Sequence, residues 1–315
     1  MQSTPEMNPI DVPEARSTRV PQRAAPLASV PVPAAMKGCF PVSTRARGAE
    51  FHHVQAGQGL PLVFLHGVLG DWRTWAPQWE AFTARYDCLA YSRRHNWPNR
   101  NPHIAPDHSA LTEAQDLEAL LDTWGRSPAV LVGSSYGAFT ALALAVRAPD
   151  RVQALVLAEP PMLRWADRVP GGQAVRDAFE RDVRLPARDA FLAGDDVQGV
   201  LRLTGGIVGD QAMATMAPQA MAQRMLNARS IKALTLSDDE FPWLEPQAVS
   251  ALRCPFLLLA GDSTPAIHAT VFEALCQALP QAEVRRVPHA GHGVARDNPD
   301  FFNQHVLDFL ERRLG

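Results

Sequence analysis

The feature that most constrains the fold is an alternation of short apolar runs with segments of helical periodicity, from about residue 50 to the C terminus. The apolar runs are too short for helices and contain few polar residues, which favours strands buried on both faces. Strands that alternate with helices predict an α/β fold with a parallel sheet covered on both sides. The predicted strands are an edge strand at 48–57 and further strands at 60–67, 86–92, 128–135, 151–160, 254–261 and 282–288, and the predicted helices are 112–125, 136–148, 266–279 and 298–314.

Residues 160–253 interrupt this alternation, because they contain helix-like segments and no convincing strand. A structureless loop of that length is improbable inside a compact domain. We therefore predict one domain over 46–315, in which 160–253 form a helical cap over one end of the sheet. The many methionines of this segment suit a pliable apolar cavity.

The first 45 residues differ in composition from the rest, since they are rich in Pro, Ala and Ser and lack any apolar period. Such a segment buries too little surface to offset the entropy of ordering, so we expect a disordered tail over 1–45. Three prolines break the stretch AAPLASVPVPAA at 24–35, which disfavours a signal peptide. A cytoplasmic location is expected.

The charge balance excludes some partners, because 30 basic residues face 33 acidic ones and the net charge is −3. No basic patch for nucleic acid is indicated. No run of about eighteen apolar residues predicts a membrane span. We expect a small-molecule substrate with no cofactor and no metal, and the sequence makes no prediction of oligomeric state. The cysteines show no metal-binding spacing: they are Cys39, Cys88, Cys254 and Cys276.

The pentapeptide GSSYG at 133–137 follows a predicted strand and opens a predicted helix. Only Ser135 has a glycine two positions away on both sides, at Gly133 and Gly137. The pattern G-x-S-x-G between strand and helix is the nucleophile elbow, in which the serine is exposed on a sharp turn. The alternative is an ordinary Gly/Ser turn.

A serine hydroxyl becomes an effective nucleophile when a base accepts its proton and an acid orients the base. His292 is the candidate base, because it lies on a glycine-flanked loop between the last strand and the last helix. His289 is its rival, three residues earlier. His66 comes too early for the order Ser, acid, His.

Two carboxylates end predicted strands between Ser135 and His292: Glu159 after LVLA and Asp262 after LLLAG. The tips of adjacent parallel strands meet at one rim, so either could reach an imidazole there. The residues alone leave both open.

A developing oxyanion requires hydrogen-bond donors. The loop HGVLG at 66–70 follows a buried strand and places the backbone N–H of Val68 near the elbow. The backbone N–H of Tyr136, at the start of the following helix, is the second predicted donor.

Together, HGVLG, GSSYG, the strand-end acids and GHG at 291–293 resemble the α/β-hydrolases with a helical cap, in that family's order. The resemblance covers residues 50–315 and implies a doubly wound, mostly parallel, eight-stranded sheet and a Ser-acid-His triad that includes Ser135 and His292. The family usually carries Asp where this chain has Thr264. In some members, similar to certain dehalogenases, the acid ends the preceding strand, which matches Glu159. We therefore prefer Glu159, with Asp262 as the alternative.

Hydrolysis of an ester, thioester, lactone or amide through an acyl-enzyme is the reaction we expect. Ser135 disfavours the dehalogenases and epoxide hydrolases that use an aspartate nucleophile. Because 160–253 contain no cluster of charge, we expect a small, largely neutral and apolar substrate. The alternatives are a lyase, cofactor-free oxygenase or acyltransferase on the same fold, or a non-catalytic ligand receptor.

Overall fold

The computed structural model describes residues 31–315, which build one eight-stranded sheet. The strands are β1 (Val42–Ala46), β2 (Ala49–Ala56), β3 (Pro61–Leu65), β4 (Asp87–Tyr91), β5 (Ala129–Ser134), β6 (Val152–Ala158), β7 (Phe256–Gly261) and β8 (Glu283–Val287).

The spatial order of the strands is β1-β2-β4-β3-β5-β6-β7-β8. β2 pairs antiparallel with both β1 and β4, and every other pairing is parallel. The predicted mostly parallel α/β sheet is confirmed. The carboxyl ends of β3, β5, β6 and β7 consequently share one rim, where the residues that follow these strands can meet.

β1 was not predicted, and the sequence indicated that 48–57 would be the edge strand. β1 instead flanks β2, with Val42 opposite His53 and Ala46 opposite Ala49. Its residues are mostly polar and half-exposed, so it has no apolar run to reveal it. The expected tail boundary at 45 therefore falls inside a strand, and Met36 is also buried. The remainder of that expectation, on residues 1–30, lies outside the described residues.

The helices fill the connections between strands. They are α1 (Ala76–Thr83), α2 (Ala110–Trp124), α3 (Tyr136–Arg147), α4 (Gly172–Phe179), α5 (Leu185–Leu192), α6 (Asp196–Val208), α7 (Asp210–Ala214), α8 (Pro218–Leu226), α9 (Ala228–Thr235), α10 (Pro246–Ser250), α11 (Ala266–Ala278), α12 (Val294–Asp297) and α13 (Pro299–Leu314).

Alternate residues of the central strands point to opposite faces of the sheet, as the period of a strand requires. Leu62 and Phe64 of β3 belong to the core that contains α1 and α13. Val63 and Leu65 belong to the core that contains α2, α3 and α11. Both faces are covered, which explains why the central strands read as uninterrupted apolar runs.

Between β6 and β7 the chain forms α4 to α10 and contains no strand. These helices lie within 160–253, the segment for which the sequence predicts a helical cap, and we refer to that segment as the cap. Within residues 31–315, none of the helices combines the length and the apolar character needed to cross a membrane.

Candidate active site

Ser135 occupies the turn between β5 and α3. Its backbone has φ 53° and ψ −123°, a conformation that residues other than glycine rarely adopt and that costs about 1–3 kcal/mol. The amide of Ser135 donates to the carbonyl of Ala158, at the end of β6, across 2.7 Å. The serine is therefore held at the rim by the neighbouring strand.

Gly133 and Gly137 are required by the closeness of the backbone around this turn. A Cβ on Gly137 would lie 2.2 Å from the carbonyl oxygen of Leu65, and one on Gly133 would lie 2.5 Å from the Cα of Ala138. Neither position has room for any side chain. The start of α3 thus packs backbone against backbone on the end of β3.

Glu159 directly follows β6 and is almost fully buried. Its Oε1 accepts a hydrogen bond from the amide of Gly261 at 2.9 Å. Its Oε2 accepts one from the hydroxyl of Thr264 at 2.8 Å and lies 2.6 Å from Nδ1 of His292. The carboxylate is thus bound to the end of β7 and to the candidate base.

His292 lies on the loop between β8 and α12. Because the carboxylate of Glu159 can only accept a hydrogen bond, we assign the proton of the neutral ring to Nδ1. Nε2 then carries a lone pair, and within the described residues it is enclosed without a hydrogen-bond partner. This is the state in which an imidazole can accept a proton.

A second imidazole, that of His268 on α11, stacks on His292. The ring centroids are 3.7 Å apart and the planes are inclined by 18°. Nε2 of His268 lies 3.2 Å from the carbonyl oxygen of Ile207, to which it donates. Burial, and secondarily the neighbouring His292, lowers the pKa of His268 well below its ordinary value, which keeps it neutral. Glu159 and His268 together restrict the orientation of His292.

Asp262 and His289 do not take part in this arrangement. Asp262 is exposed, and its carboxylate accepts hydrogen bonds from the amide of His289 at 3.0 Å and from the hydroxyl of Ser263 at 2.9 Å. The bond from the His289 amide lowers the pKa of the Asp262 carboxyl. Of the two acids left open by the sequence, the structure brings Glu159 to His292.

The two predicted oxyanion donors lie beside Ser135. A Cβ on Gly67 would be 3.6 Å from Oγ of Ser135, so the loop at 66–70 lies against the serine. The amides of Val68 and Tyr136 donate no hydrogen bond to any residue in the part of the chain that the structure describes. The Tyr136 amide also lies at the N terminus of α3, where the helix dipole favours negative charge.

Glu159, His268 and His292 offer potential metal-ligand atoms that all lie within 4.8 Å of one another. A metal ligand directs its lone pair along the plane of the imidazole ring. The two stacked rings have nearly parallel planes, so their nitrogens do not converge on one point, and Oε2 of Glu159 already accepts two hydrogen bonds. The arrangement suits proton transfer better than metal binding.

The sequence model of the alpha/beta hydrolase fold family matches residues 61–299, which is more than half of the chain. The chain belongs to the alpha/beta hydrolase fold family.

Several proteins named as hydrolases are similar over most of this chain. The sn-1-specific diacylglycerol lipase ABHD11 of Mus musculus is 29% identical over 270 residues, which cover 79% of this chain and 80% of the lipase. The putative carbamate hydrolase RutD of Caulobacter sp. (strain K31) is 27% identical over 274 residues, covering 83% and 94%. The crystal structure of carboxylesterase CesB (YbfK) from Bacillus subtilis has a TM-score of 0.66 at 21% identity, covering 86% and 91%.

In this alpha/beta hydrolase two cavities border Ser135. The first has a volume of about 260 Å³ and is also lined by His292 and by three arginines, Arg73, Arg224 and Arg296. The second is a narrow space of about 20 Å³ that extends under the cap. Its apolar lining comes mainly from cap residues: Leu163, Phe179, Leu203, Ile207 and Phe241.

A polar network connects the cap to the loop that carries Val68. Nδ2 of Asn227, between α8 and α9, donates to the buried carboxylate of Asp71 at 3.0 Å. Oδ1 of the same residue accepts a hydrogen bond from the amide of Trp97 at 2.9 Å. Asn96 donates to the carbonyl of Gly70 at 2.8 Å. The cap, the loop at 66–71 and the loop after β4 are therefore held together.

Sequence reasoning did not find His268 or Arg224. His268 is one polar residue in an otherwise ordinary helical pattern, and Arg224 is one of several arginines in the cap. Neither belongs to a motif, and their positions depend on how α11 and α8 pack over the rim. The sequence did carry a signal for the position of the acid. Thr264 has a hydroxyl where the family usually carries Asp, which indicates that the acid lies elsewhere.

Proposed function

We propose that this chain is a serine hydrolase that cleaves an ester, thioester, lactone or amide through an acyl-enzyme, with Ser135, His292 and Glu159 as the catalytic residues. One observation carries the proposal: the carboxylate of Glu159 lies 2.6 Å from Nδ1 of His292, and Nε2 of that ring is left unpartnered at the cavity lined by Ser135.

In the first half of the reaction, Oγ of Ser135 attacks the substrate carbonyl carbon while Nε2 of His292 accepts the hydroxyl proton. The carbonyl oxygen becomes an oxyanion, which accepts hydrogen bonds from the amides of Val68 and Tyr136. One such donor contributes about 3 kcal/mol to transition-state stabilisation. When the bond to the leaving group breaks, Nε2 of His292 gives its proton to that group.

In the second half, a water molecule attacks the acyl-enzyme and gives a proton to Nε2 of His292. The bond between the acyl carbon and Oγ breaks, and the proton returns to Ser135. Throughout, Glu159 holds the ring in the tautomer with Nδ1 protonated and stabilises the imidazolium that forms transiently.

The relatives support a hydrolase function, because the similar proteins named above are hydrolases. The second cavity is mostly apolar, and its volume of about 20 Å³ suits a single small apolar group, such as a methyl group, beside the bond that is cleaved.

The test combines turnover with covalent labelling. Hydrolysis of 4-nitrophenyl esters of increasing chain length is measured for the wild type, Ser135→Ala and Ser134→Ala, and each protein is treated with a fluorophosphonate and analysed by mass spectrometry. We expect Ser135→Ala to lose on the order of 10⁴-fold or more in kcat and all labelling. Ser134→Ala, which removes the adjacent hydroxyl, should still be labelled. Full ester hydrolysis by Ser135→Ala would overturn the proposal.

A further inference from the structure

Arg224, on α8 of the cap, is a buried cation without a carboxylate partner. The residue is only 5% exposed. Nη1 donates to the carbonyl of Ala220 at 2.8 Å, and Nε is enclosed without a partner. Among residues 31–315 no acidic side chain forms an ion pair with Arg224. The edge of the guanidinium formed by Nε and Nη2 therefore donates nothing to the protein.

The two other arginines of the same cavity are neutralised. Arg73 binds Asp71 through Nε at 2.8 Å and through Nη2 at 2.7 Å. Arg296 contacts Asp297 at 2.9 Å. Arg73 thus binds a carboxylate of the protein through Nε and Nη2, and these are the two nitrogens that have no partner in Arg224.

A buried charge without an opposite charge is costly, because its hydration is lost and one hydrogen bond to a carbonyl compensates only part of that loss. Burial, and secondarily the charge of Arg296, lowers the pKa of Arg224 to about 10. The side chain nevertheless stays protonated at neutral pH. A positive charge is consequently held in the cavity that Ser135 and His292 also line, at a cost that an anionic ligand would offset.

The location of Arg224 matches that of a substrate-binding residue. It lines the cavity of about 260 Å³ together with Ser135 and His292. It also lines a larger recess of about 780 Å³, which shares His292 and Arg296 with that cavity. The guanidinium is therefore at the boundary between the outer recess and the nucleophile.

We propose that Arg224 binds a carboxylate, or another anionic group of similar geometry, at the part of the substrate remote from the bond that Ser135 attacks. The proposal rests on the proposed hydrolase function and specifies its substrate class. Nη2 of Arg224 is the guanidinium nitrogen that is neither enclosed nor hydrogen-bonded to the protein. A charged N–H donor of this kind forms a strong hydrogen bond with a carboxylate.

This proposed substrate class differs from the largely neutral substrate that we expected from the sequence. That expectation depended on the lack of charge clusters in 160–253. A single arginine can bind an anionic substrate if the fold buries it without a carboxylate partner. Because burial is a property of the fold, the sequence did not reveal it.

The test uses two matched pairs of esters that place the charge on either side of the scissile bond. Mono-4-nitrophenyl adipate is compared with 4-nitrophenyl 6-methylheptanoate, and 4-acetoxybenzoate with 4-isopropylphenyl acetate. In each pair a carboxylate is replaced by a neutral isopropyl group. kcat/KM is measured for the wild type, Arg224→Gln, Arg224→Lys and the control Arg296→Gln.

We expect Arg224→Gln to lower kcat/KM for at least one charged ester by about 10- to 100-fold, the effect of losing a charged hydrogen bond, and to change the neutral partner by less than about threefold. Arg224→Lys should retain part of the preference, since it keeps the charge. Arg296→Gln should have a smaller effect, because that charge is already paired. If Arg224→Gln leaves the ratio of charged to neutral ester unchanged in both pairs, the proposal is wrong.

A binding measurement separates this proposal from the proposed hydrolysis. Adipate is titrated calorimetrically into Ser135→Ala and into Ser135→Ala/Arg224→Gln, neither of which depends on turnover. Adipate binding that requires Arg224, in a protein whose wild type hydrolyses no ester, would support the anion site and contradict the hydrolase. If the wild type hydrolyses esters and neither kcat/KM nor adipate binding depends on Arg224, the hydrolase proposal is supported and the anion site is contradicted.

Discussion

The hydroxyl of Thr264 donates a hydrogen bond to Oε2 of Glu159 across 2.8 Å, and the same oxygen lies 2.6 Å from Nδ1 of His292. Thr264 stands where the resemblance led us to look for an aspartate. The position after β7 therefore supports, through a hydroxyl, the carboxylate from the end of β6 that we propose as the acid.

This relationship predicts that the two candidate acids respond differently to amidation. Glu159→Gln should lower kcat for ester hydrolysis by about 10³- to 10⁴-fold, because an amide cannot hold the same tautomer or stabilise the imidazolium. Asp262→Asn should stay within a few-fold of the wild type, since Asp262 is exposed and bonds to the amide of His289. Steady-state kinetics with one 4-nitrophenyl ester checks both variants, and equal losses in the two would contradict the assignment.

A second prediction moves the acid from one strand to the other. Glu159→Asn alone should be inactive but folded, because asparagine tolerates the φ of 46° at this position. Adding Thr264→Asp should raise kcat at least about tenfold above that of Glu159→Asn, because it supplies a carboxylate next to His292. Circular dichroism establishes that both proteins fold. A double variant no more active than Glu159→Asn would show that the end of β7 cannot serve the ring.

The close approach of α3 to β3 predicts a stability difference between two glycines. Gly137→Ala should lower the free energy of unfolding by about 1–3 kcal/mol, because its Cβ would overlap the backbone of Leu65. Gly205→Ala is the matched control in the interior of α6, where the nearest atom to an added Cβ is 4.0 Å away. There we expect a gain of about 0.5–1 kcal/mol from helix propensity. Urea unfolding measures both, and similar values for the two variants would be evidence against the tight elbow.

His66 predicts a loss of stability in weak acid. Its Nδ1 donates to the carbonyl of Gly67 at 2.8 Å and its Nε2 accepts from the amide of Arg93 at 3.1 Å, so the buried ring is neutral. Burial, and secondarily the charge of Arg93, lowers its pKa to about 3. The unfolded chain, with an ordinary histidine pKa of about 6.5, takes up the proton first as the pH falls. The contribution of neutral His66 to the free energy of unfolding is therefore complete above about pH 6.5 and is lost progressively as the pH falls toward about 3.

Between pH 7 and pH 5 this histidine should cost the wild type about 2 kcal/mol of unfolding free energy. His66→Gln has no such titration, so the stability difference between wild type and variant should shrink by that amount over the same range. Urea unfolding at the two pH values gives the comparison, in which all other titrating groups are common to both proteins. A difference that is independent of pH would contradict a neutral, buried His66.

The sequence was most informative where a physical requirement is local. The apolar runs of the central strands follow from burial on both faces, and the glycines around Ser135 follow from the absence of space for a Cβ. Both features can be recognised without knowing the rest of the fold. The order of the motifs then placed Ser135 and His292 on the same rim.

Features that depend on distant packing could not be predicted in the same way. β1 pairs through its backbone at the edge of the sheet, and its polar residues carry no apolar signal. The choice between Glu159 and Asp262 depends on which side chain turns toward the ring, and both follow strands that end at the same rim. The stacking of His268 and the isolation of Arg224 arise from the contacts of α11 and α8, which no local pattern records.

The carboxylate that contacts His292 comes from the end of β6 and not from the segment after β7. This difference affects which parts of the scaffold could diversify. The segment 262–265 supports Glu159 through the hydroxyl of Thr264. It also holds the loop before His292, because the carboxylate of Asp262 accepts from the amide of His289 and the amide of Ser263 donates to the carbonyl of Ala290. Ser263 and Pro265 line the outer recess of the cleft. Side-chain replacements at Ser263 and Pro265 would reshape the entrance and keep the backbone hydrogen bonds that hold the loop of His292. A protein engineer could therefore vary the side chains of Ser263 and Pro265 as a library site, with Asp262 and Thr264 held constant, to recruit bulkier molecules.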